Sequence, residues 1–472
     1  MIRRLALLVP CVAVAACGGS ADDDQRVALD PASNGVQPAA LATAGPGPGD
    51  PTPTNPCLVS PIFPGAGSVD TSFGCAGYAK YSIDGVDVTV RGLAVQPDDK
   101  IVAVGMTYNP SMNHHDVWAA RFTSSGALDT TFATGGVYTK SFVPFGGPSS
   151  AETVAIQSSG AIVMAGGYFS EDQAGAARTG FVLRLLPNGT LDPTFATGGI
   201  LTTTSFTYGR SLKIQSNGSL VLAADRCTTS STNCVGIVAR FDGTTGAGSS
   251  GFGMMGYLSH NFNGESPASA RGAAVSGNNV VVVGRTKAGS GTDAGLARFN
   301  LNGVDIAYGT SGYIRHDTLQ NETAYDIANV GTGHISVVSG TETPPSSDYF
   351  MFLRTQANGN IDSSFGFVGR VNVSFQGYGA FGSALVYTGG KIVGVGSANT
   401  SAGKSRLAVT RINTNGGLDT TFSSDGYTML AAGGDEAAAT SVVVQSTGRI
   451  IAGGWTRPAG GTNRAVLVRI RN

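Results

Sequence analysis

The chain has 472 residues, with 30 Lys and Arg against 31 Asp and Glu, a formal net charge of −1. Charged residues make up 13% of it, about half their usual share, while glycine, with 69, is at about twice its usual share. No basic stripe runs through the sequence, which argues against nucleic acid as a partner, and no apolar run is long enough to cross a membrane.

Residues 1–17 read MIRRLALLVPCVAVAAC: two arginines, an apolar stretch and a small-residue cleavage site. That order predicts a secretory signal over 1–16. The end of it, Val14-Ala15-Ala16-Cys17, resembles a bacterial lipobox, in which the cysteine becomes the acylated first residue. The resemblance implies a membrane anchor through lipid on Cys17, and Gly18 after it implies sorting to the outer membrane of a Gram-negative envelope. Loss of Arg3 and Arg4 leaves the mature chain at about −3. Residues 17–60, rich in Ala, Gly, Pro, Asp and Thr, cannot bury a core and are expected to be a flexible tether. Cysteine use fits an oxidising compartment. The four remaining cysteines form two local pairs, so disulfides Cys57–Cys75 and Cys227–Cys234 are expected. No CxxC spacing and no nearby histidine suggest a metal there.

From 61 to 472 one element recurs seven times, at a spacing of about 60 residues. It begins as AVQPDDKIVAVG at 94–105 and ends as VVQSTGRIIAGG at 443–454. Each repeat holds four short apolar runs, which in the first are 92–96, 100–106, 117–122 and roughly 128–142. Their Val, Ile, Ala and Phe content and the Gly, Asn, Asp and Ser between them predict strands joined by tight turns. Four antiparallel strands repeated seven times predict an all-β, seven-bladed β-propeller, with strands lettered A to D from the channel outward. The array opens at VDTSF, 69–73, with a strand D lacking its A to C, and closes at 464–470 with a strand C lacking its D. The N-terminal strand is therefore expected to complete the seventh blade.

Between strands C and D an arginine is followed eight residues later by an aspartate: Arg121 and Asp129, Arg184 and Asp192, Arg354 and Asp362, Arg411 and Asp419. The intervening SSG, PNG, ANG and TNG fit three-residue hairpin loops that set the two residues opposite each other as an ion pair. Arg469 and Asp70 would restore the pair in the composite blade. Arg298 and Asp305 are seven apart, so that turn differs; Arg240 has Ser249 at the matching place, so the third blade lacks the pair. A device repeated in blade after blade reads as structural.

The pattern AVQPDGKIV, an ARF-like strand and NGxLDTTFGxGG resembles the delta-60 repeat family, a bacterial β-propeller group of unknown function. The resemblance covers roughly 68–472. It is weaker in the third unit, where GSSGF at 248–252 replaces the LDxTF element, and in the fourth, where VDIAY at 304–308 does. It implies a fold and supplies no catalytic residues.

Little else points to chemistry. His114-His115-Asp116 falls in an expected B–C loop; His260 and His316 hold equivalent places in the fourth strands of adjacent units; His334 falls in a turn. No nucleophile-elbow or phosphate-loop motif stands out. No metal and no cofactor are expected. The variable B–C loops and the entrances to strand A form one face, where Arg91, Glu152, Tyr168, Arg210, Arg271, Asp326 and Trp455 are the candidate binding residues. The leading reading is a monomeric, membrane-anchored envelope lipoprotein whose propeller binds a protein or glycan partner. An enzyme of lactonase, hydrolase or lyase type at the channel mouth and a purely structural envelope component are the alternatives.

Overall fold

In the computed structural model the described residues are 66–472, without 84, 111–112, 143–147, 173–174, 229–232, 263–264, 290, 317–320 and 342–347. Cys17, Cys57, the signal and the whole tether lie outside them.

Every regular element among the described residues is a strand. They form seven antiparallel sheets, each ordered A-B-C-D from the centre outward. The first sheet runs Val88–Val95, Ile101–Asn109, His114–Phe122 and Val137–Lys140. The fourth adds a two-residue strand, Gly303–Val304, to its usual set. In the seventh, Glu436–Val444, Ile450–Arg457 and Arg464–Ile470 are joined by Tyr78–Tyr81 as the outermost strand. The ring is closed as the split ends of the repeat predict, but strand D is shorter and later than expected. Residues 69–73 form one β-bridge, Val69 to Ile470, and the strand begins at Tyr78. Likewise 128–136 of blade one turn back under the sheet before Val137 pairs with Ala120.

Both faces of each blade are covered, so strand B of blade one is buried from Ile101 to Met106 and reads as a continuous apolar run. The core consists of seven layers, each shared by two adjacent blades. Val163, Leu212 and Leu222 pack together between blades two and three, and Phe73, Val90, Leu93 and Leu467 between seven and one. A blade therefore has no core of its own.

The glycine that ends the strand-B motif has a specific cause. A Cβ on Gly105 would lie 2.0 Å from the Thr89 carbonyl oxygen, and one on Gly166, Gly284, Gly396 or Gly454 equally close to the matching carbonyl of strand A. The strand-A backbone crowds strand B because it bulges there. Cys227 and Cys234 face each other where strands B and C of blade three part, and they form the expected disulfide. Cys75 is also disulfide-bonded.

Arginine and aspartate meet as predicted, with Arg121 Nε donating to Asp129 Oδ2 at 2.8 Å, and they do so in six blades. Arg298 and Asp305 pair at 2.8 Å despite their shorter spacing. Gly126, Gly189, Gly359 and Gly416 hold positive φ in the hairpins, as three-residue loops require. The structure adds what the spacing did not reveal: each staple also spans two blades. Arg121 donates to the Pro187 carbonyl of blade two, Arg184 to Gly243, Arg298 to Ala357, Arg354 to Thr414, Arg411 to the Asn472 side chain and Arg469 to Ser124.

Candidate functional site

Strand A of every blade carries a β-bulge at the matching place, at Arg91, Glu152, Arg210, Arg271, Tyr325, Ser383 and Thr440, and blade four has a second irregularity between Glu265 and Ala268. A bulge re-aims the extra side chain. Here the seven form one tier around a channel cavity of about 440 Å³. The residue after each bulge forms a second tier: Gly92, Thr153, Ser211, Gly272, Asp326, Ala384 and Ser441. This second tier ties blades together. Thr153 Oγ1 accepts from Leu212 N–H at 3.0 Å, Ser211 from Ala273 at 3.2 Å, Asp326 Oδ2 from Leu385 at 3.1 Å and Ser441 from Leu93 at 3.1 Å. Where it is glycine the next backbone comes too close for a side chain: a Cβ on Gly272 would lie 2.7 Å from the Asp326 Cα.

The first tier is where the blades differ. Arg210 is held rigidly, with Nε donating to Asp225 Oδ2 at 2.9 Å, Glu152 at 4.0 Å and the Tyr208 ring 4.9 Å below the guanidinium. Asp225 in turn accepts from Ala270 N–H of blade four at 2.9 Å. Arg271 lies over the Tyr325 ring at 5.9 Å. Arg91 and Arg271 form no ion pair among the described residues, and the Nε of each is buried without a hydrogen-bond partner. Lys213 also lines the cavity. Burial pushes the Asp326 carboxyl above the ordinary carboxylate range; the Lys213 charge and the N–H groups of Leu385 and Ile327 oppose this. Four basic side chains thus face two carboxylates, Glu152 and Asp326, in the channel wall.

Of the seven candidate binding residues, the structure brings five to this channel: Arg91, Glu152, Arg210, Arg271 and Asp326. They sit partway along strand A instead of at its entrance. Tyr168 and Trp455 lie on strand B and do not line it. Tyr168 stacks on Phe142 at 5.0 Å, and Trp455 is covered by Arg457 at 5.7 Å. Sequence reading missed Tyr325, Lys213 and Tyr387. Aligning the repeats on the strand-B glycine places Tyr325, not Asp326, level with Arg271.

The histidines are not arranged as a site. His114 to Asp116 lie on a buried strand C and not in a loop, because strands B and C extend as a hairpin to Asn109 and His114. His114 Nε2 is 2.9 Å from Asp116 Oδ1 and 2.8 Å from Ser141. Burial lowers His260 to about 3, opposed by Asp225, and its ring packs edge-on against Phe262 at 4.4 Å. His334 is in strand B of blade five; burial, then Arg298, lowers it to about 4. Among the described residues no group of three His, Cys, Asp or Glu is placed to hold a metal.

Residues 96–132, 157–195, 390–422 and 445–472 match a domain of unknown function, DUF5122, that forms a β-propeller. This is consistent with the delta-60 resemblance, and the matched stretches are the units whose motif is best kept. No curated protein sequence matches. Similar solved structures include a protein of unknown function from Dyadobacter fermentans, at 10% identity over 84% of this chain and 100% of the other, TM-score 0.43. An α-L-arabinofuranosidase from Fusarium graminearum is 7% identical over 84% and 97%, TM-score 0.41. Domains 1–2 of Drosophila Semaphorin 1b are 7% identical over 83% and 87%, TM-score 0.40.

Proposed function

We propose that this propeller, built from repeats that match a domain family of unknown function, is a binding module of the bacterial envelope whose channel takes a protein or glycan partner carrying carboxylates. One observation carries the reading. The seven bulges give every blade the same means of aiming a side chain into the channel, yet they aim seven positions of mixed chemistry, two of them guanidinium groups without a counter-ion among the described residues. Structural devices in this molecule repeat from blade to blade; this one varies, as a recognition surface does. Arg210, fixed by Asp225 and Tyr208, is preorganised beside them. An enzymatic reading would need Asp326 or Glu152 free to move a proton. Asp326 accepts backbone N–H bonds on both oxygens, and Glu152 faces Arg210.

The test is calorimetric titration with trigalacturonate and with a short polyglutamate peptide, at low and high salt. Arg91→Gln and Arg271→Gln are each expected to weaken binding by about 10-fold or more, as loss of a charge-assisted contact does, while the melting temperature stays put. Unaltered affinity in the double variant would rule this site out.

The envelope placement rests on residues 1–17, with Cys17 as the lipid-bearing residue. Cys17→Ser is expected to move the protein from the membrane fraction to the soluble one. If the variant stays with the membranes, another anchor is responsible.

A further inference from the structure

At six of the seven junctions the rim is sewn by two bonds to the next blade's C–D hairpin, or, in blade seven, to the two chain segments that stand in its place. One is the staple arginine described above. The other runs from the turn that enters strand D: Ala133 N–H to Asn188 O at 2.7 Å, Ala196 to Thr245, Gly309 to Asn358, Gly366 to Asn415, Ser423 to Ala66, and Gly74 to Ser125. Between blades three and four both are missing among the described residues. Arg240 has the same backbone frame as its counterparts, with Ser249 N–H donating to its carbonyl at 2.9 Å as Asp129 N–H does to that of Arg121. Its guanidinium nevertheless meets no aspartate and no carbonyl of the next blade. Two sequence changes cause this. Ser249 stands where the aspartate should be, and the blade-four hairpin has a two-residue tip, Leu301-Asn302, one residue shorter than most others. That tip stops short of blade three.

The result is a cation only 6% exposed, with Nε lacking any partner. Burial disfavours its charge. The same seam is edged by apolar side chains. Met254 and Met255 of the blade-three entry turn are each 80% exposed, and Leu301 of the blade-four hairpin tip is 41% exposed. In blades one and two the matching entry turns are Ala133-Thr134-Gly135 and Ala196-Thr197-Gly198.

We propose that this seam docks an extended segment of a protein partner that presents an acidic side chain between apolar ones. The carboxylate takes the seat that aspartate fills in the six other blades, paired with Arg240. The flanking apolar side chains cover Met254, Met255 and Leu301. Gly253 N–H, which the neighbouring hairpin leaves unbonded, gives a backbone carbonyl of the segment its donor, and this favours a peptide over a lipid or a free anion. The seam is on the side of the A–B and C–D turns and is independent of the channel reading.

Methionine methyl NMR reads the site directly, because two of the eight methionines edge it. The probes are acetyl-Leu-Asp-Leu-Lys-amide, its Leu-Asn-Leu counterpart and sodium acetate. The acidic peptide is expected to shift Met254 and Met255 with an affinity at least about 10-fold above that of the asparagine peptide. Ser249→Asp, which supplies the missing carboxylate from within, should raise the melting temperature and abolish that preference; Arg240→Met should abolish it too. Equal binding of the two peptides to the unaltered protein, the acidic preference retained in Ser249→Asp, no shift at millimolar peptide, or acetate reproducing the shifts at the same concentration would each overturn the proposal.

Discussion

A chain lacking residues 66–83 is expected to lose its cooperative melt and to aggregate. The segment supplies the whole outer strand of the seventh blade, pairing Tyr78 to Val468 and Tyr81 to Ala465. It buries Phe73 completely beneath Arg469 and against Gly126 of blade one, and it carries Asp70, which receives both Arg469 and Arg449. Burying a phenylalanine is worth about 2–3 kcal/mol, and the strand, the bridged aspartate and the apolar stems of Val69 and Tyr78 bring the loss to roughly 5–10 kcal/mol. That is comparable to the entire net stability of a typical domain. The deletion also opens an unpaired edge on strand C, a template for association with other chains. Calorimetry and light scattering on the truncated protein decide the matter. A melt superimposable on that of the full chain would mean that the ring does not depend on this closure.

The second large effect is at the staples. Arg411→Met is expected to destabilise by about 1.5–3 kcal/mol, because it removes the charged bond to Asp419, only 3% exposed and left with Lys391 and Thr421, and frees the Asn472 contact across the blade junction. Arg240→Met removes a cation with no partner and is expected to cost under about 1 kcal/mol or to stabilise. The contrast between chemically identical substitutions isolates the staple from the arginine as such. Urea titration of both variants measures it, and equal losses would show that pairing contributes nothing.

The same staples set the acid limb of stability. Burial alone would raise the Asp129 and Asp419 carboxyls. Bonds from Thr131 and Thr421, the Arg121 and Arg411 charges, and Lys100 and Lys391 overcome it and hold both at about 2. A carboxyl depressed on folding contributes stability in full above its unfolded value and loses it as pH falls toward the folded one. The two together, on the order of 2 kcal/mol each, should therefore be intact above about pH 5 and fade between there and pH 2. The acid transition of Arg411→Met should be shallower in that window.

How much of this was legible beforehand depends on the range of the interaction concerned. Strand, turn and hairpin are set by neighbours within one repeat. Seven copies of AVQPDDKIV-type runs and the Arg-to-Asp spacing of eight determined the blade count and the hairpins, and the closure followed because the fragments at Asp70 and Arg469 together make one repeat. The third unit's missing aspartate was equally plain at Ser249. Contacts between blades were not legible. Nothing about Arg121 announces that it reaches Pro187, because the partner is a backbone carbonyl 66 residues on and carbonyls have no sequence signature. The strand-A bulges were hidden for the same reason: a bulge is a mismatch in register between two strands, so Tyr325 could not be told from Asp326 as the channel residue until Ala324 and Asp326 were seen paired with Val338 and Val337. The open seam between blades three and four needed both facts at once, a lost carboxylate in one repeat and a shortened hairpin in the next. Only packing the two side by side turned these into one unpaired arginine.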